Sequence, residues 1–118
     1  MSELDGMTDQ HALAKFVREA DEDAFAILVS RYVDMVYGTA LRKCGSVELA
    51  EEVTQNVFSL LARKAGKLRS ANALGVWLHR AGLLEASRLR RREANHRRKM
   101  KRYADTIATD AELDVPDW

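Results

Sequence analysis

Nine of the fifteen residues from Arg88 to Arg102 are lysine or arginine, against a single acid, Glu93. Guanidinium and ammonium groups at this density suit one chemistry, contact with the phosphates of a polyanion. Such contact gives affinity without sequence choice and weakens steeply as salt rises. Reading a sequence needs other groups, and the stretch Lys67 to Asn72 offers them, with Arg69 for charge and Ser70 and Asn72 for hydrogen bonding. Trp77 follows shortly after. Its ring could stack on an unpaired base, a contact that contributes about 1 to 3 kcal/mol. Trp77 reads equally well as a core residue, because its neighbour Leu78 is also apolar, and His79 reads as a surface side chain.

Other chemistries lack their residues. There is no glycine-rich phosphate loop, the serines are scattered, and His11, His79 and His96 are far apart, so an enzyme is not expected. No second His, Cys or carboxylate stands at ligand spacing from His79, which argues against a metal. No cofactor is implied. The lone Cys44 cannot form an internal disulfide and reads as a small buried thiol.

These groups need a scaffold, and the pattern around them is helical. The chain has 118 residues, 47% hydrophobic and 31% charged, with one proline and six glycines. That describes one soluble domain with little room for a turn-rich β design. No apolar run nears the roughly 18 residues of a membrane span, and MSELDG is no signal sequence, so a cytoplasmic protein is expected.

The net charge of +1 hides a segregation: −6 over residues 1–62, +12 over 63–102 and −5 over 103–118. A separation this large points the middle of the chain at a polyanion. Attachment of the basic helix to an anionic membrane is disfavoured, because residues 90–102 lack a broad apolar face.

Four helices are expected in order. A short one spans Asp9 to Glu19, with Leu13, Phe16 and Val17 inward. The second is capped by Asp21, carries Phe25, Leu28, Val29, Tyr32, Val36 and Ala40 as a broad stripe, and stops at Gly45. The third is capped by Ser46 and runs to about Ala65, with Gly66 as its stop. It buries Ala50, Val53, Val57, Leu60 and Leu61 and turns Glu48, Glu51, Glu52, Gln55, Asn56, Ser59 and Arg63 outward. The fourth, capped by Ser70 or Asn72, should reach about Arg102, with Leu74, Leu78, Ala81 and Leu89 buried. Gly75 and Gly82 within it suggest close helix approach. The fold class is therefore all-α, a compact three- to four-helix bundle with a long basic C-terminal helix. Residues 1–20 form an N-terminal segment, 21–103 the helical domain, and 104–118 an acidic linker or tail.

AEEVTQNVF, a short basic loop, WLHRA and RLRRR, together with the earlier FAILVSRYVDMVYGTALRKCG, resemble region 2 of bacterial RNA polymerase sigma factors, most nearly the extracytoplasmic-function (ECF) type. The likeness covers roughly residues 20–95. It implies a transcription initiation factor domain that binds core RNA polymerase and opens the -10 promoter element by capturing non-template single-stranded DNA. Glu48, Glu51, Glu52, Gln55 and Asn56 would then meet the coiled coil of the polymerase's largest subunit, with Gln55 and Glu52 foremost. Lys67, Arg69, Ser70, Asn72, Trp77, His79, Arg80, Arg88, Arg91 and Arg92 would meet DNA. An anti-sigma factor would be a further, controlling partner.

Three departures stand out: Asn56 where Glu is common, and Leu84 and Arg88 where Asn and Asp are usual. In such factors a helix-turn-helix region 4 follows the linker. This sequence ends at Trp118 without it and reads as a shortened chain. The competing reading is a general nucleic-acid-binding helical module that does not dock on polymerase.

Overall fold

The computed structural model describes residues 6–68 and 73–113, with side chains described to residue 109. Helix α1 is Asp9–Glu19, α2 Glu22–Cys44, α3 Val47–Leu68 and α4 Leu74–Leu113, and no strand occurs among the described residues. The helix starts follow from local hydrogen bonding. Thr8 Oγ1 accepts from the His11 N–H, Asp21 Oδ1 from Ala24 and Ser46 Oγ from Leu49, each satisfying a donor the helix itself leaves free. Gly45 ends α2 at φ +66°, a left-handed conformation cheap for glycine, and its N–H returns to Leu41 O at 2.8 Å. Ala20 takes the same role after α1 at φ 51°, with a Cβ to accommodate.

Leu13, Leu28, Leu61, Leu74, Leu78 and Leu89 are fully buried, and with Val36, Val53 and Val57 they make one core shared by all four helices. Each such leucine contributes about 1.5 to 3 kcal/mol by leaving water. In α1 the inward residues are Ala12 and Leu13. Phe16 is half-buried against Phe25, ring centroids 4.7 Å apart, and Val17 is exposed. Leu60 is half-buried instead of core. Phe58 takes a core place that the sequence pattern did not assign to it.

Of the two late glycines, Gly75 is closely approached and Gly82, contrary to expectation, has only ordinary contact. A Cβ on Gly75 would meet Tyr32 Cε1 at 3.2 Å, and one on Gly82 would meet Val36 Cγ1 at 4.0 Å. Tyr32 is held from its other end, where its hydroxyl donates to Asp9 Oδ2 while Arg31 pairs with Asp9 Oδ1 at 3.0 Å. Asp9 thereby ties α1 to α2, and the Tyr32 ring sets how closely α4 approaches.

Three expectations are corrected. Helix α3 passes through Gly66 to Leu68, because Gly66 is exposed, its φ is not left-handed and no cap geometry stops the chain there. Helix α4 runs to Leu113, so residues 104–113 are helical: no glycine or proline interrupts them, and the Thr106 and Thr109 hydroxyls bond carbonyls one turn back at 2.9 Å. Last, α2 is long and apolar enough, by length and composition alone, to cross a membrane. Ala24, Leu28, Val36 and Ala40 are fully buried against the other helices, and Phe25, Val29, Tyr32, Val33 and Leu41 are partly buried against the same core. Beyond Leu89 helix α4 leaves the core, and Met100, Tyr103 and Ile107 are exposed.

Candidate functional site

The acidic face of α3 divides in two. Glu48, Glu51, Gln55 and Ser59 are exposed, with Glu48 accepting from Ser46 Oγ at 3.1 Å. Glu52 and Asn56, offset around the helix, turn toward α4 and find partners there. Glu52 receives two hydrogen bonds from Arg92, at 2.6 and 3.1 Å, and Asn56 Nδ2 donates to Glu85 Oε1 at 3.0 Å. Glu85 also binds Arg88, whose Nε lies 3.1 Å from Oε2.

Two residues expected to meet a protein and two expected to meet DNA thus pair with one another in two neighbouring sets, Glu52 with Arg92 and Asn56 with Arg88 through Glu85, which feel each other through charge. Sequence reasoning had given Glu85 no role. Its spacing of three from Arg88, with the unusual Arg88 in place of an acid, was the available signal.

The pairing sets the charge states. The Arg92 hydrogen bonds hold the Glu52 carboxyl below the usual carboxylate range, despite some desolvation. For Glu85 the Arg88 hydrogen bond has the same effect, opposed by burial and assisted by the Asn56 amide. Beside these pairs lies a polar groove of about 400 Å³, lined by Asn56, Ser59, Leu60, Arg63, Glu85 and Arg88.

Trp77 is half-buried. It packs against the core and also lines a shallow groove with Leu60, Lys64, Ala81 and Leu84. Leu84 is 72% exposed, a large apolar side chain presented to solvent at a position where the resemblance would place an asparagine. His79 is exposed, with Nδ1 3.4 Å from Thr39 Oγ1 on α2. Arg80 and Arg91 are exposed on α4, and Lys67 is exposed in the last turn of α3. Arg69, Ser70 and Asn72, and the helix cap expected at Ser70 or Asn72, lie outside the described residues.

Cys44 is half-buried, with Sγ 3.8 Å from Ala86 O. Burial raises its thiol pKa, against the pull of Arg90 and Lys43. Among the described residues no three His, Cys, Asp or Glu gather as metal ligands.

Compared with known proteins, residues 28–96 match the Sigma-70 region 2 family. The chain is similar to the ECF RNA polymerase sigma factor SigW of Bacillus subtilis (strain 168), 30% identical over 83 residues, which cover 70% of this chain and 44% of that protein. It is also similar to the RNA polymerase sigma-H factor of Pseudomonas aeruginosa, 29% identical over 104 residues, covering 86% of this chain and 50% of that protein. The chain thus spans about half the length of the curated relatives it matches. No solved structure gives a significant match.

Proposed function

Because the chain belongs to the Sigma-70 region 2 family, whose members are transcription initiation factors and not enzymes, we propose that it docks on core RNA polymerase through α3 and engages the -10 promoter element through α4. The observation that carries this reading is the presence, on one four-helix body, of two chemically opposite surfaces, the acidic one inside the family-matched segment and the basic one beginning within it and running beyond. The exposed Glu48, Glu51 and Gln55 supply an acidic and amide face, and α4 supplies a dense cationic ridge.

On this reading Gln55 and Glu51 contact the polymerase coiled coil directly. Glu52 and Asn56 contribute by holding α3 and α4 in register as well as by contact. Trp77, half-buried and lining its groove, stacks on a captured non-template base, and Lys67, Arg80, Arg88, Arg91 and Arg92 approach phosphates. Arg69, Ser70 and Asn72, by the same likeness, would line the base-capturing loop. The activity belongs in the cytoplasm, where polymerase and promoter meet, and an anti-sigma factor would compete for the same faces.

A general nucleic-acid module is the competing reading. It is favoured by one observation: Glu52 and Asn56, two of the five expected polymerase contacts, turn toward α4 and already have intramolecular partners. The two readings part on a pull-down of the chain with core polymerase, followed by abortive initiation on a pre-opened promoter. The polymerase reading expects a complex that Gln55→Ala or Glu52→Arg weakens while binding to bare DNA persists. A chain that ignores polymerase and still binds any polyanion would leave only the general module.

A further inference from the structure

The cations of α4 fall on two sides of the helix. Arg88 and Arg92 turn toward α3, and both are committed to carboxylates there or on α4 itself. On the other side, Arg90, Arg91 and Arg98, with Ser87 and Ala94, line a concavity of about 330 Å³ whose far wall is Lys43 from the last turn of α2. None of Lys43, Arg90, Arg91 and Arg98 has a carboxylate partner among the described residues.

We propose that this concavity seats backbone phosphates of duplex DNA, with Lys43 of α2 closing the site opposite α4. It rests on the proposed function in that α4 must approach DNA, and it adds a helix, α2, that the reading above leaves uninvolved.

Four cations converging on one hollow repel each other unless an anion lies between them, and here no protein carboxylate does so. The C-terminal end of α2 carries partial negative charge, which disfavours an anion; Arg42 and Lys43 in its last turn offset that. Ser87 adds a hydroxyl donor, and the small Ala94 leaves the floor open to a phosphate group. The lining holds no aromatic ring, so nothing in it can stack on an unpaired base. That composition selects backbone over base, and duplex over single strand, because a duplex presents one charge per roughly 1.7 Å of its axis, the denser array for four clustered cations. The spacing along α4 fits as well. Arg91 to Arg98 begins about 21 Å, and ends about 32 Å, from Trp77 at 1.5 Å per residue, well away from the ring assigned to single-stranded bases.

The test uses the whole chain, with fluorescence anisotropy on a short duplex and on a single strand of the same sequence over a salt series. Lys43 is exposed, so Lys43→Gln leaves the core intact. The expected result is a duplex salt slope smaller by about one unit, the loss of one phosphate contact, with single-strand binding little changed. Arg98→Gln should do the same, whereas Arg18→Gln, an equal change of charge on exposed α1, should not. An unchanged slope in Lys43→Gln, a loss equal to that of Arg18→Gln, or equal weakening on both DNA forms would overturn the site. If the unaltered chain binds neither form, the proposed function falls with it; if it binds and only the Lys43 result fails, the proposed function stands.

Discussion

Arg92 on α4 donates to both carboxylate oxygens of Glu52 on α3, at 2.6 and 3.1 Å, from forty residues away in the chain. A guanidinium matched to a carboxylate in this two-pronged way fixes orientation as well as distance. Both side chains remain substantially exposed, 49% for Arg92 and 39% for Glu52, so water and salt screen the attraction and its weight in folding stability is small. Its consequence is for binding: an external partner can use the N–H donors and lone pairs that the pair leaves open, or compete for those it uses. A cationic partner that takes Glu52 releases Arg92 for phosphate, and an anion that takes Arg92 releases Glu52.

Arg92→Gln should therefore let the Glu52 carboxyl rise toward the ordinary range, and Arg88→Gln should do so for Glu85. Carboxylates whose folded pKa is depressed add stability above their unfolded pKa, and this is lost as pH falls through the folded value. The parent chain should lose stability on acidification more steeply than either variant. Carbon-detected NMR titration of the two glutamates reads the effect. An unmoved Glu52 in Arg92→Gln would mean the pair is not formed in solution.

The two glycines of α4 predict opposite signs. Gly82 is buried in mid-helix, where a methyl group would make ordinary contact with Val36, so Gly82→Ala should stabilise by about 0.5 to 1 kcal/mol through helix propensity. Gly75 faces the Tyr32 ring at 3.2 Å, and that ring is anchored by Asp9. Gly75→Ala should destabilise by about 1 kcal/mol or more. In a Tyr32→Phe background, with the anchor gone, its cost should shrink. Thermal melts of the three variants and the double variant decide it; two stabilising alanines would refute the close approach.

Those glycines also mark how far the sequence could be read. Period-3.6 apolar spacing located the four helices, since Leu28, Val36, Val53, Leu61, Leu78 and Leu89 lie where the stripes put them. Caps at Asp21, Ser46 and Gly45 were legible because a side-chain acceptor or a left-handed glycine satisfies a specific backbone group. Gly66 misled, because a glycine stops a helix only when the backbone turns left-handed. The end of α4 misled as well: an acidic composition says nothing against helix when neither glycine nor proline interrupts it. The surfaces were read by charge and by the family likeness, and neither reveals which groups pair. The binding of Arg92 to Glu52, or the joining of Asn56 to Arg88 through Glu85, depends on the angle at which α3 and α4 pack, which no local pattern encodes.

Tyr32 gives a second pH dependence, at the alkaline end. Burial, then the hydrogen bond to Asp9 and the Asp9 charge, push its phenol from 10.0 up to about 12, with Arg31 pulling the other way. A group whose folded pKa is raised adds stability that is complete below the unfolded value and lost as pH rises through the folded one. Stability should decline between about pH 10 and 12, and less so in Tyr32→Phe. Ultraviolet titration should show the Tyr32 phenol ionising late, and the disappearance of that step in Tyr32→Phe identifies it.

Trp77 must serve both the core and, on the proposed function, a captured base, and its half-buried position makes the two roles separable. Removing the ring deletes core contacts and should lower the melting temperature; Trp77→Ala of a half-buried aromatic costs less than the roughly 3 to 5 kcal/mol of a fully buried one. If the ring also stacks on an unpaired base, the variant loses about 1 to 3 kcal/mol of single-strand affinity. Duplex affinity, held by phosphate contacts on α4 beyond the core, should be little affected. Trp77→Phe keeps a smaller ring in both settings and should recover most stability and part of the single-strand affinity. Measured at a temperature well below each melting point, a selective loss on single strands assigns the ring to DNA. Equal losses on both forms, tracking the fall in stability, would assign it to the core alone.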